Sequence, residues 1–182
     1  MNIGEEICGS YLKYEKLCDF VDYNINTTAT CGQGEIDVIG INQSDKVVYV
    51  CEVAVHIATG LQYTKDGKPN VYTKVLEKFK RDILFVQKKF PKEYRIVPMC
   101  WSAIVKETSS NPALTELGKV RNELKSRYPK IDDLQLIINE QWKTSVEILR
   151  KKAGSISHEL FGVMRVFQIE EHLDTYLKNS VK

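Results

Sequence analysis

The chain has 182 residues, 43% of them apolar and 27% charged, and a formal net charge of +2. That size and apolar content suit one domain with a substantial core, and no block of like charge is long enough for a disordered tail. The near-neutral balance does not decide for or against a nucleic-acid partner, because the placement of charge matters more than its sum.

Five cysteines (Cys8, Cys18, Cys31, Cys51 and Cys100) are scattered, with no CxxC pair. A structural zinc site is therefore not expected, and a reducing cytoplasm is the simplest compartment. The start, Met1-Asn2-Ile3-Gly4-Glu5-Glu6, lacks the basic and apolar regions of a signal peptide. No apolar run approaches the ~20 residues needed to cross a bilayer, so no membrane partner is expected.

In chain order, Ile3, Ile7, Tyr11 and Tyr14 recur at helical spacing and predict a helix over 3–17. Residues 20–26 alternate apolar and polar, as an exposed strand would, and 27–34 read as a glycine-bearing loop. Residues 35–41 and 47–56 are strands joined by a turn around Ser44-Asp45. The second is almost continuously apolar, which predicts a central strand buried on both faces. A long loop over 58–70 precedes an amphipathic helix over 71–90, with Val75, Phe79, Ile83, Val86 and Phe90 on one stripe. A strand over 94–105 follows. Asn111-Pro112 reads as an N-cap and first helical residue, opening a helix to about Tyr128. A short strand over 134–139 and helices over 141–153 and 157–178 complete the chain. The expected fold is a mixed α/β sheet flanked by helices, one domain over 1–182, with a core over about 3–139 and a C-terminal helical extension over about 140–182.

The chemistry-bearing stretch is Gly34-Glu35-Ile36-Asp37-Val38-Ile39-Gly40, followed by Val48-Tyr49-Val50-Cys51-Glu52-Val53-Ala54. A turn centred between Ser44 and Asp45 sets Asp37 opposite Glu52, with both side chains on one face and Cβ atoms ~4.5–5.5 Å apart. A slip of one residue would break this pairing. A carboxylate on so apolar a strand is costly to bury, and two carboxylates side by side across the hairpin repel each other. A hard divalent cation such as Mg²⁺ relieves both problems. The plainer alternative is a hairpin whose two acids face solvent at a sheet edge.

These residues resemble the PD-(D/E)xK nuclease superfamily, and most of all its small bacterial members with a GEIDLI-type strand followed by an FVEVK-type strand. The likeness covers residues 3 to about 105 as an order of elements and about 25 residues as motif. It implies a restriction-endonuclease-like core and phosphodiester hydrolysis in DNA, with RNA not excluded. It also implies Mg²⁺, with Mn²⁺ as an alternative, held by Asp37 and Glu52 with help from Glu6 on the first helix. The motif's lysine would stand two residues after Glu52, where this chain has Ala54. Three readings follow. Lys74 or Lys78, on one helix face with Arg81, reaches the same space; or His56 takes the role; or the domain only binds, as a catalytically inactive module or assembly subunit. Lys78 is preferred to Lys74, because it flanks the apolar stripe deeper in the helix, where its methylenes can lie along that surface.

Basic residues of the same helix, Lys80, Lys88 and Lys89, are candidate phosphate contacts. The preceding loop, with Tyr63, Lys65 and Lys68, is long enough to be functional. Cutting both strands of a duplex would call for a symmetric homodimer. Gly32-Gln33-Gly34 precedes a strand and is not a dinucleotide fingerprint, His158 and His172 are isolated, and Trp101 and Trp142 are expected to be core or half-buried.

Overall fold

The computed structural model describes residues 2–55, 60–156 and 160–164, together with 166 and 169. His56, His158, His172 and most of the expected 157–178 helix lie outside the described residues. The chain runs α1 (Ile3–Tyr14), β1 (Phe20–Asn26), α2 (Thr28–Cys31), β2 (Glu35–Asn42), β3 (Val47–Val53), β4 (Thr64–Lys65), β5 (Lys68–Pro69), α3 (Val71–Lys89), β6 (Arg95–Ser102), α4 (Ala113–Arg127), β7 (Gln135–Ile138) and α5 (Asn139–Lys152). Five strands form one mixed sheet in the order β1-β2-β3-β6-β7, and β4 and β5 form a separate two-stranded hairpin.

Strand β3 is central, pairing antiparallel with β2 and parallel with β6. This agrees with its almost unbroken apolar run. Strand β1 is an edge whose half-exposed and exposed residues alternate. One face of the sheet is covered by α1 and α5, which share a core with Cys51, Met99 and Trp101; Leu160, Phe161 and Met164 pack into it. On the other face α3 and α4 meet over Phe79, Ile83, Leu117 and Val120. Phe79 and Ile83 are fully buried, and burial of such a side chain contributes about 1.5–3 kcal/mol. Among the described residues no helix is long and apolar enough to cross a membrane. All five cysteines are free thiols. Trp101 is fully buried, and Trp142 packs half-buried against the same core.

Several boundaries differ from the sequence reading. Helix α1 begins with a capping box between Asn2 and Glu5 and stops at Tyr14 instead of 17. Leu17 takes a left-handed φ of 53°, and the Cys18 N–H returns to the Leu12 carbonyl at 3.0 Å. This closure, from an N–H six residues further on, satisfies a carbonyl that the helix would leave orphaned. The 27–34 loop contains the helical turn α2, and β3 stops at Val53 instead of 56. Asn111 is not a helix cap. It closes a tight turn with Thr108, and its side-chain amide donates to the Leu61 carbonyl at 3.2 Å, so Pro112 stands at the N-cap without a side-chain cap bond.

Candidate functional site

The site lies where β2 and β3 part. Val38 pairs with Cys51 and Ile39 with Val50, the register of a turn centred between Ser44 and Asp45. Carried one residue further, it sets Asp37 against Glu52. The backbone ladder ends there. The Asp37 carboxylate instead accepts the Val53 N–H at 2.7 Å. On the other side of β2, the β1 ladder also skips this level: Asn24 is left-handed, with φ 52°, and its neighbours Tyr23 and Ile25 pair with Val38 and Ile36. Both ladders therefore relax around Asp37, leaving a notch into which its side chain and that of Glu52 project.

Helix α3 closes the notch. Lys78, Arg81 and Asp82 stand three and four residues apart, hence on one helix face. The Lys78 ammonium bonds to Glu52 Oε2 and lies 3.8 Å from Asp37 Oδ2, so one cation is shared by both carboxylates. Arg81 Nη2 reaches Glu52 Oε1 at 3.2 Å and the Glu35 carbonyl at 2.5 Å, and its Nε donates to Asp82 Oδ1 at 2.8 Å. The guanidinium can lie so close only because residue 34 is glycine. A Cβ there would stand 2.1 Å from Arg81 Nη1, and Gly34 has a φ of +147°. Burial raises the hydroxyl of half-buried Tyr63 above its ordinary range, with Lys78 opposing and Glu52 and Asp37 adding to the rise.

Three of these groups are nearly closed to solvent: relative exposure is 8% for Asp37, 4% for Glu52 and 0% for Asp82. The Lys78 side chain, half-buried at 30%, is the most open of the charged members. Burial pushes Asp37 up to about 7, with Glu52 adding to the rise and Lys78 opposing it. Burial likewise pushes Glu52 up to about 8; adjacency to the Asp82 carboxyl adds to this, and Lys78 again opposes. Asp82 is also raised, mainly by burial. Its Oδ2 has no donor among the described residues. A proton on either carboxyl would let Asp82 and Glu52 hydrogen-bond. The cluster thus holds more buried carboxylate than its two cations neutralise.

That imbalance has a measurable consequence. Unfolded carboxyls titrate near ~4, whereas Asp37 and Glu52 in the folded chain retain protons up to about 7 and about 8. Between those limits the folded state binds more protons, so stability must fall as pH rises. Calorimetry in EDTA is expected to show the melting temperature dropping between pH 5 and 8.5. The drop should be shallower in Glu52→Gln, and a slope identical to wild type would exclude Glu52 as its source.

The remaining expected residues are spread more widely. Lys74 is exposed one turn before Lys78 and makes no ion pair with either carboxylate among the described residues. Glu6 is half-buried on α1, and it makes no hydrogen bond or ion pair to Asp37 or Glu52 among the described residues. Lys80 is half-buried near Glu123 of α4, whereas Lys88 and Lys89 are exposed in the last turn of α3. At 3.6 residues per turn these three lysines do not share one face. Sequence reasoning missed Asp82. Its signal was an acid standing on the apolar stripe, three residues after Phe79 and four before Val86.

Asp37 and Glu52 are the two hard oxygen donors of the site that could hold a divalent cation. Among the described residues no group of three or more His, Cys, Asp or Glu side chains is placed to hold a metal ion. A cation held by two carboxylates would keep several waters, as Mg²⁺ commonly does. Comparison of the chain with protein-family models, curated proteins and solved structures returned no match.

Proposed function

We propose that this chain is a metal-dependent endonuclease of the PD-(D/E)xK type that hydrolyses phosphodiester bonds in DNA. The observation that carries the reading is the convergence of Asp37 and Glu52 on one ammonium, that of Lys78, at the parted end of the β2–β3 hairpin. The order helix, three strands, helix, strand around a central β3 supports a restriction-endonuclease-like core.

In this reading Asp37 and Glu52 hold the cation. When bound, it lowers the pKa of a water and stabilises charge on a phosphoryl oxygen. Lys78 takes the part of the lysine that Ala54 lacks. Its ammonium, at the exposed rim of the notch, orients the attacking water and faces the phosphate. Arg81 braces Glu52 from the opposite side and is itself fixed by Asp82 and the Glu35 carbonyl.

One observation favours a second reading, an inactive nuclease-fold module that binds nucleic acid or serves in assembly. Both oxygens of Glu52 are already engaged by cations of α3, so the cluster carries part of its own counter-charge. Nicking of supercoiled plasmid by the purified chain separates the two. Relaxed and linear products in Mg²⁺ and none in EDTA are expected; intact plasmid under both conditions would favour the binding module.

A further inference from the structure

The segment between β3 and α3 carries a second feature beside the notch. Thr64 pairs with Pro69 and Lys65 with Lys68. The Asn70 N–H donates to the Tyr63 carbonyl at 2.7 Å, extending the same register by one pair. Asp66 and Gly67 have φ values of 51° and 73°, the two left-handed residues of a type I′ turn, for which Asp-Gly is a preferred sequence. The base of the segment is pinned. Leu61 is buried, its N–H donates to the Ile104 carbonyl at 2.8 Å, and its carbonyl accepts the Asn111 side chain at 3.2 Å. Gly60, with φ +73°, permits the close approach to Ile104.

Because side chains alternate along a strand, Tyr63, Lys65 and Lys68 leave the hairpin on one face. Tyr63 packs half-buried against the core that α3, the helix of Lys78, forms with the sheet. Lys65 and Lys68 are directly opposed and exposed. Like charges so placed destabilise a hairpin, and neither lysine has an acidic partner among the described residues. A tight, anchored turn that sets two exposed lysines directly opposite each other is suited to an anion held between their ammonium groups.

We propose that Lys65 and Lys68 together grip one phosphate of the DNA backbone, next to the phosphodiester presented to the notch, and that the hairpin thereby sets the path of the substrate strand. This rests on the nuclease reading above for its substrate. The cleft-side pair is a better candidate for backbone contact than Lys80, Lys88 and Lys89, which do not share a face.

The test is equilibrium binding of a labelled DNA duplex in EDTA, where cleavage is absent, across a range of salt concentrations. Wild type is compared with Lys65→Gln/Lys68→Gln, with the charge-retaining Lys65→Arg/Lys68→Arg, and with Lys46→Gln/Lys92→Gln. The last pair removes the same charge from exposed positions at the opposite end of the sheet. The hairpin glutamine variant is expected to bind several-fold more weakly, with the salt slope reduced by about 1, the contribution of one neutralised phosphate. The arginine variant should retain the wild-type slope, as should the distant control. An unchanged slope in the hairpin glutamine variant, or an equal loss in the distant control, overturns the hairpin assignment while leaving the nuclease reading intact. Absence of DNA binding by wild type overturns both.

Discussion

Replacing Glu52 with glutamine is expected to lower DNA cleavage by at least about 10³-fold, the upper range for removing one preorganised charge-stabilising group. Glutamine keeps the shape of the side chain but removes the charge a divalent cation needs. It cannot bind metal as a carboxylate does, and Asp37 alone offers one anionic ligand. Loss of fold would not explain such a result. Glu52 is a buried carboxylate raised to about 8, so neutralising it removes a desolvation cost, and Arg81 keeps Asp82 and the Glu35 carbonyl as partners. Asp37→Asn should behave similarly in cleavage. Its amide would also weaken the hold on the Val53 N–H, which the carboxylate accepts at 2.7 Å. Rates measured beside melting curves decide the matter. Cleavage by Glu52→Gln within about tenfold of wild type would remove Glu52 from the mechanism.

The second large effect concerns Lys78. Lys78→Ala is expected to reduce cleavage by about 10²- to 10⁴-fold, the range spanned by positioned proton-transfer and water-orienting groups. Lys74→Ala should stay close to wild type, because Lys74 is exposed and among the described residues has no ion pair to the carboxylates. The two variants should diverge in metal affinity as well. The Lys78 ammonium bonds to Glu52 Oε2 and approaches Asp37, so it would compete with an incoming cation. Removing it should leave divalent-cation affinity unchanged or increase it while cleavage collapses. A lysine restored at the motif position, Ala54→Lys in the Lys78→Ala background, should recover part of the rate if the ammonium matters more than the element carrying it. Equal rates for Lys78→Ala and wild type would sink the role of Lys78 on the helix.

Much of this site was legible in the sequence because it follows from strand periodicity. The Ser44-Asp45 turn fixes which residues of β2 and β3 oppose each other, and the observed pairs obey that register. Helical spacing likewise placed Lys78 on the flank of a buried stripe. What escaped reading depends on three-dimensional closeness or on backbone irregularity. The left-handed Asn24, which helps to open the notch around Asp37, has no periodic signal. Gly34 is required by the approach of Arg81, 47 residues later in the chain, and no local pattern marks it. The hairpin of β4 and β5 was readable in principle from Asp66-Gly67, but the strands are two residues long, too short for alternation to emerge. Glu6 was carried over by resemblance alone; it stands half-buried on α1 beside Glu5, which is committed to the capping box with Asn2.

The claim on which the rest depends is that Asp37 and Glu52 form one divalent-cation site. Titration calorimetry with Mn²⁺ on the full chain at pH 8, repeated on Asp37→Asn and Glu52→Gln, tests it most directly. Binding of one ion per chain that releases protons, and that is lost in both variants, is the predicted result. No binding by wild type, or binding that survives both substitutions, would contradict it.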